Sequence, residues 1–358
     1  MGKKVEKIYD EKQIIYEIYR MRGLTIQQLC EVVFHSKGYA YKFLQRMKEF
    51  GWLQDRMDMK GKIRQAKVYF CTDQAIEMLE REGFINKSVK AKDNTPPRNK
   101  MKYTVLTNEV YAALMPFGIY VYDSREWKIK NKMDRNTLVR GGLQMFDGRE
   151  MGLYLFFSSE QISGAGLSDS MLTRFKHEVK KFPQTNRIAV LCYDLKIYEK
   201  MVKVVDKELS TFNELLVIPM GKNGLGFNLL RISRSQIERK AQLETILNAR
   251  LNESHPSLEG NKQNFAQYVA DYGNHESYVV DFLSMNRPGL HHLATHYYRD
   301  AFEKDGRHVD LVCWKPNEKE LIKKFQQYPH VNIISISSQE ISDKYLPRLT
   351  TTKIKMKL

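Results

Sequence analysis

No part of the chain constrains its fold more than residues 24 to 72. Leu24-Thr25-Ile26-Gln27-Gln28-Leu29-Cys30 opens a helix that Thr25 is placed to cap. Phe34-His35-Ser36-Lys37-Gly38 breaks that pattern. Tyr39 to Phe50 resumes it as an amphipathic helix, with Phe43, Leu44 and Met47 turned to a core and Lys37, Lys42, Gln45, Arg46 and Lys48 mostly away from it. Trp52-Leu53 follows, then a basic hairpin tip at Asp58-Met59-Lys60-Gly61-Lys62 and a returning strand, Ala66-Lys67-Val68-Tyr69-Phe70.

Helix, turn, basic helix and a strand pair with a basic tip read together as a winged helix-turn-helix. Such a unit sets one helix in the major groove of DNA and a wing on its backbone. Ser36, Lys37, Tyr39, Tyr41, Lys42 and Arg46 are the groove candidates, and Lys60, Lys62 and Arg64 the phosphate candidates. Phosphate contacts supply affinity and salt dependence, whereas only the helix residues can read bases. The alternative is a winged helix used purely for protein contacts; the basic helix face and tip favour DNA.

The charge distribution agrees. The formal net charge is +16, and residues 1–102 hold 22 Lys and Arg against 13 Asp and Glu, a net of +9. The remaining 256 residues hold 36 against 29, a net of +7, which reads as a solubilising surface. With 42% hydrophobic residues, 20 Tyr and 17 Phe, the chain can bury real cores. Cys30, Cys71, Cys192 and Cys313 lie far apart without metal-ligand spacing and read as reduced core thiols. There is no apolar run of 18 residues and no signal peptide, so the expectation is a cytoplasmic protein that makes no membrane contact.

The fold class expected is mixed α/β. Residues 1–85 form the winged unit and 86–102 a basic linker carrying six Lys and Arg, one Asp and Pro96-Pro97; the alternative is that its charge lets it lie along a phosphate backbone. An α/β domain follows over 103–251, a second linker over 252–275 and a smaller α/β unit over 276–358. Strands are expected at 127–129 and 227–232 and one helix from Leu290 to Lys304. Ala189-Val190-Leu191-Cys192-Tyr193 matches Asp310-Leu311-Val312-Cys313-Trp314, and Tyr154 and Tyr278 stand upstream at similar spacing. These matches read either as a duplicated β-α-β-α-β unit or as coincidence between apolar strands.

Between Tyr103 and Phe182 stand Asn108-Glu109-Val110-Tyr111 on a helix, Arg125-Glu126-Trp127 after a strand, and Leu143-Gln144-Met145-Phe146-Asp147-Gly148. A strand at 152–157 and a helix ending in Arg174-Phe175-Lys176 follow. In this order the chain resembles the replication-relaxation family of plasmid and mobile-element proteins, over about residues 1–235. The resemblance implies a winged helix joined to a core like that of PD-(D/E)xK nucleases, with Asp147-Gly148 where the family has Pro-Asp-Gly. Some members look like relaxases.

Such a nuclease needs an Asp at a strand end and, on the next strand, an acid two residues before a Lys, to hold a hard cation and activate water. The next strand, Gly152-Leu153-Tyr154-Leu155-Phe156-Phe157, has neither. A displaced set of Asp147, Glu160 and Lys176 is the alternative, and only under that reading is Mg²⁺ a cofactor. The simpler reading of Asp147-Gly148 is a β-turn, and the second copy offers Asp281 with no Lys partner. His292 and His296, at i and i+4, have the spacing of a Zn²⁺ pair, but no Glu or Cys accompanies them and packing is the preferred reading. Tyr297 and Tyr298 read as core aromatics before catalytic nucleophiles. Gly221-Lys222-Asn223-Gly224-Leu225-Gly226 reads as a hairpin turn between two strands.

The expectation is therefore a sequence-specific DNA-binding protein of a plasmid, phage or conjugative element, without a cofactor. It would act on double-stranded DNA at a replication or transfer origin or a promoter. A pseudo-nuclease core would serve a homodimer or recruit replication or transfer proteins. The alternatives are a divergent metal-dependent nickase or relaxase, and a transcription regulator whose α/β tail binds a small ligand.

Overall fold

The computed structural model describes residues 10–34, 36–57, 67–86, 89–157, 167–181, 187–208, 212–221, 225–258 and 265–346. The chain is mixed α/β and divides into two units, one within Met1–Asp123 and one spanning Ser124–Arg348.

In the N-terminal unit, helix α1 (Glu11–Arg20) starts at a capping box in which Asp10 accepts from the Gln13 amide at 2.8 Å and Gln13 returns the contact at 3.1 Å. It buries Ile14, Ile15 and Ile18. The short strand β1 (Leu24–Thr25) leads into α2 (Ile26–Val32), which Thr25 and Gln28 cap reciprocally at 3.2 and 3.0 Å. Helix α3 (Lys37–Glu49) starts at Ser36, whose hydroxyl accepts from the Tyr39 amide at 3.2 Å, and buries Ala40, Phe43, Leu44 and Met47. Strands β2 (Leu53–Met57) and β3 (Lys67–Cys71) pair antiparallel, Leu53 opposite Cys71 and Met57 opposite Lys67. Strand β1 joins the other side of β3, giving the order β1-β3-β2. Gly23 precedes β1 at φ +111, and a Cβ there would stand 2.3 Å from the Phe70 ring, so no larger residue fits. Helix α4 (Asp73–Arg81) closes the hairpin from its Thr72 cap.

The stretch expected to be a linker is structured. It carries α5 (Ala91–Asn94) and the start of α6 (Arg98–Leu114). Met101 packs with Val68 and Phe70, and Val105 lies against the same cluster. Gln28 donates to the Val105 carbonyl at 2.8 Å, and Asn108 donates to the carbonyls of Met21 and Gly23 at 3.0 and 2.6 Å. Burial of Met101, contributing about 1.5–3 kcal/mol, with Ala91, Asn94 and Thr95 also buried, outweighs the linker character of a Pro-containing, basic sequence. The short strand β4 (Tyr120–Tyr122) ends this unit.

The C-terminal unit begins with α7 (Ser124–Lys130), where a strand was expected. Trp127 explains the difference. Its buried ring fills the space over Gly142, where a Cβ would come within 1.9 Å of it. Strands β5 (Gly141–Gln144) and β6 (Glu150–Phe156) form an antiparallel pair. Parallel strands β7 (Arg187–Cys192) and β8 (Glu214–Pro219) follow through the crossover helices α8 (Asp169–Lys181) and α9 (Leu195–Glu208). Helix α10 (Leu225–Ile232) replaces the other expected strand. Its apolar run buries Leu229, Leu230 and Ile232, and periodicity alone does not separate a short buried helix from a strand. The Gly-rich segment consequently leads into a helix rather than a second strand; residues 222–224 lie outside the described residues.

Helix α11 (Gln236–Leu247) precedes a five-stranded sheet: β9 (Arg250–Asn252), β10 (Tyr268–Asp271), β11 (Glu276–Asp281), β12 (His308–Trp314) and β13 (Val331–Ile336), in sequential order. One of these strands, β10, lies where the second linker was expected, and β9 ends at its first residue. The crossovers are α12 (Arg287–His296) with α13 (Arg299–Asp305), and α14 (Glu318–Phe325). The single helix expected over 290–304 is broken at Tyr297, which is buried and donates from its hydroxyl to Asp305 and to the Arg307 carbonyl, both at 2.7 Å. Strands β10 to β13 repeat the pairing of β5 to β8: one antiparallel neighbour, then two parallel ones. The register corrects the proposed match. Val190 lies opposite Tyr154 and Val309 opposite Tyr278, so the tyrosines and the cysteines do not superpose together but slip by two residues, which keeps each side chain on its own face.

Candidate nucleic-acid interface

Helix α3 faces its neighbours with the four buried residues above and leaves Ser36, Lys37, Tyr39, Tyr41, Lys42, Gln45 and Arg46 exposed. The reason is the 3.6-residue period: positions 40, 43, 44 and 47 make one stripe, and the remainder faces out. Tyr39 and Tyr41 are 49% and 56% exposed, unusual for large rings at a helix start. Tyr39 is held edge-on to the buried Phe34 ring, 5.7 Å between centroids, and is thereby stiffened. Lys37 and Lys42 make no ion pair with the described residues; Lys37 opens α3, whose amino-terminal partial positive charge adds to its own, and Lys42 follows five residues on.

The candidates do not behave as one set. The Ser36 hydroxyl oxygen is already used as the cap of α3. Arg46 forms an ion pair with Glu11 of α1. Lys48, on the same helix, pairs with Asp55 of β2, which also meets Lys67 of β3 at 3.3 Å. Burial pushes the Asp55 carboxyl up, but Lys48 and Lys67 outweigh it and hold it below the usual carboxylate range. Glu11 and Asp55 are functional neighbours that sequence reasoning missed. No local pattern marks a carboxylate as the partner of a lysine or arginine on another element. Lys60, Lys62 and Arg64, the expected phosphate contacts of the hairpin tip, lie outside the described residues.

The candidate acids Asp147 and Asp281 of the C-terminal unit are engaged. Asp147 sits in the β5–β6 turn, with Gly148 at φ +86 and its amide on the Met145 carbonyl at 2.9 Å. The Asp147 carboxylate accepts from Arg149 Nε at 2.9–3.0 Å and from the Gln236 amide at 2.8 Å. Arg149 also reaches Glu214 at 3.0 Å and the Ser233 carbonyl at 2.8 Å. Glu160 lies outside the described residues, and Lys176 is on α8, so the displaced triad is not assembled by what is described. Asp281 is paired with Arg239 of α11 at 2.5–2.6 Å, an arginine from another element standing where no lysine is near in sequence. Buried Glu178 accepts from the amides of Leu138 and Val139 at 2.6 and 3.1 Å and from the Tyr154 hydroxyl at 2.9 Å. Burial, and then Glu178, drive that hydroxyl above its usual range.

His292 and His296 stack, with centroids 5.6 Å apart and planes 19° from parallel. Among the described residues no group of three His, Cys, Asp or Glu is placed to hold a metal ion. The four cysteines are free thiols; Cys71, Cys192 and Cys313 are buried. No helix of the described residues is long and apolar enough to cross a membrane. No protein-family model, curated protein or solved structure matches the chain.

Proposed function

We propose that this chain is a sequence-specific DNA-binding protein that acts through a winged helix-turn-helix formed by α2, α3 and the β2–β3 hairpin. The observation that carries the reading is the exposed basic and aromatic face of α3, where Lys37, Tyr39, Tyr41 and Lys42 project from a helix fixed by a buried apolar stripe. Lysines there meet base edges or flanking phosphates, and stiff aromatic rings cover thymine methyls and sugars at little entropic cost. The order of elements and the resemblance to replication-relaxation proteins favour an origin of replication or transfer, or a promoter, on a plasmid, phage or conjugative element. The α/β unit then serves a non-catalytic role, pairing two copies on two half-sites or recruiting replication or transfer proteins. Engagement of Asp147 by Arg149 and the α11 amide supports that part of the reading.

The test is selection of duplex fragments by the purified full chain from a random-sequence library, with and without EDTA. Enrichment of one sequence in both conditions, lost in Lys37→Ala/Lys42→Ala, is the expected result. Enrichment unaffected by that double substitution removes α3 from the reading. Metal-dependent nicking lost in Asp147→Ala replaces the non-catalytic core with an enzyme.

A further inference from the structure

We propose that the basic start of α6, with α5 before it, forms a second DNA-backbone contact that adds affinity without sequence preference; this rests on the DNA-binding reading above. Residues 86–102 hold six Lys and Arg and a single acid, Asp93. Lys90, Lys92, Arg98 and Lys100 are exposed and Lys102 is half-buried. None of these five makes an ion pair with the described residues. Elsewhere in the same unit Lys12 pairs with Glu82, Arg46 with Glu11, and both Lys48 and Lys67 with Asp55. The unit thus neutralises several cations around α3 and β2 with its own carboxylates and leaves this run uncompensated. The first turn of α6 also contains no acid.

The run is not a solvated tether. Met101, between Lys100 and Lys102, is packed on Val68 and Phe70 of β3, and Val68 adjoins Lys67 at the hairpin end of that strand and lies opposite Arg56. Asn94 and Asn108 anchor the segment to Tyr19, Met21 and Gly23. The start of α6 is therefore fixed on β3, and α5 is held by Asn94 on Tyr19 and by the Ala91 amide on Asp73, all within the unit that carries α3. Carried on α5 and the first turns of α6, the cations can neutralise several phosphates, each releasing condensed counterions. An acidic protein surface or an anionic membrane offers the same charge but no reason for the patch to share a rigid frame with α3, so the duplex is the occupant assigned.

The experiment compares the full-length wild type, Arg98→Gln/Lys100→Gln/Lys102→Gln, and Lys37→Ala/Lys42→Ala. Each is titrated with a fluorescein-labelled selected duplex and with its scrambled counterpart over a range of salt. The triple variant is expected to bind both duplexes on the order of tenfold more weakly, to lower the slope of log Kd against log salt by about 3, and to keep the ratio between the duplexes. The α3 variant is expected to lose that ratio. Because Lys102 is half-buried, Lys90→Gln/Lys92→Gln/Arg98→Gln/Lys100→Gln, confined to exposed positions, must move the slope in the same direction. An unchanged slope in both patch variants, with the α3 variant still impaired, overturns the second contact and leaves the α3 reading standing. A lowered slope with an unimpaired α3 variant does the reverse. Loss of binding to phosphatidylserine vesicles with DNA affinity intact assigns the patch to a membrane and overturns the proposal.

Discussion

Arg46 on α3 and Glu11 on α1, 35 residues apart in the chain, form an ion pair, so the helix assigned to the groove has one of its cations held by its own protein. Both side chains are about a third to a half exposed, at 46% and 35%, which keeps the pair weak and exchangeable.

Glu11→Gln is therefore expected to change stability by less than about 1 kcal/mol while releasing Arg46. DNA binding should tighten by roughly two- to fivefold, with a steeper salt slope. Fluorescence anisotropy against ionic strength checks it; weaker binding would mean that Glu11 orients Arg46 for the groove.

Two glycines should respond oppositely. Gly142→Ala places a Cβ 1.9 Å from the buried Trp127 ring and is expected to cost about 2–3 kcal/mol or more. Gly38→Ala meets nothing within 4 Å inside α3 and should stabilise by about 0.5–1 kcal/mol. Thermal melts of the two variants decide.

Glu109 gives the N-terminal unit a pH dependence. Burial first, and then Glu31, raise its carboxyl to about 7. A carboxyl raised on folding binds its proton more tightly in the folded state. Stability should therefore fall as pH rises from the unfolded carboxylate range through about 7. Glu109→Gln should stabilise at pH 8 by on the order of 1–2 kcal/mol and leave stability at pH 4.5 nearly unchanged. Denaturant unfolding at the two pH values provides the measurement.

His330 acts in the other direction. Its ring is buried, stacked 4.6 Å from Phe302, and Nε2 meets the Tyr297 carbonyl at 2.9 Å. Burial lowers its pKa, only partly offset by that hydrogen bond. Its contribution is present above the ordinary imidazole range and is lost as pH falls below it, because the unfolded ring takes up a proton that the folded one resists. Unfolding of His330→Phe, whose ring carries no such proton, should show a shallower loss of stability on acidification.

The buried pair Arg239–Asp281 should tolerate double but not single replacement. Asp281→Ala leaves a buried guanidinium without its carboxylate and is expected to cost about 3–5 kcal/mol, whereas Arg239→Met with Asp281→Leu should cost far less. A double-mutant cycle in urea measures the coupling.

Much of this was legible in local sequence, because the deciding contacts are local. Thr25 caps α2 and Ser36 caps α3 through amides three residues on, and Phe43, Leu44 and Met47 share a stripe at helical spacing. The apolar strands Arg187–Cys192 and His308–Trp314 were visible because strands covered on both faces read as continuous hydrophobic runs. Short segments were misjudged where one distant contact decides: Trp127 over Gly142 made a helix of an expected strand, and the reach of Tyr297 to Asp305 and Arg307 broke an expected helix.

By itself the sequence determined the element order of residues 24–72, the basic face of α3 and the mixed α/β class, since capping, periodicity and charge act over a few residues. Only the tertiary structure decided which charges remain available. It gave Arg46 to Glu11, Lys48 and Lys67 to Asp55, Asp147 to Arg149 and Asp281 to Arg239, and it turned a basic linker into a helix packed on β3. Coulomb attraction depends on distance through space, and that distance is set by how the elements pack rather than by the spacing of residues along the chain.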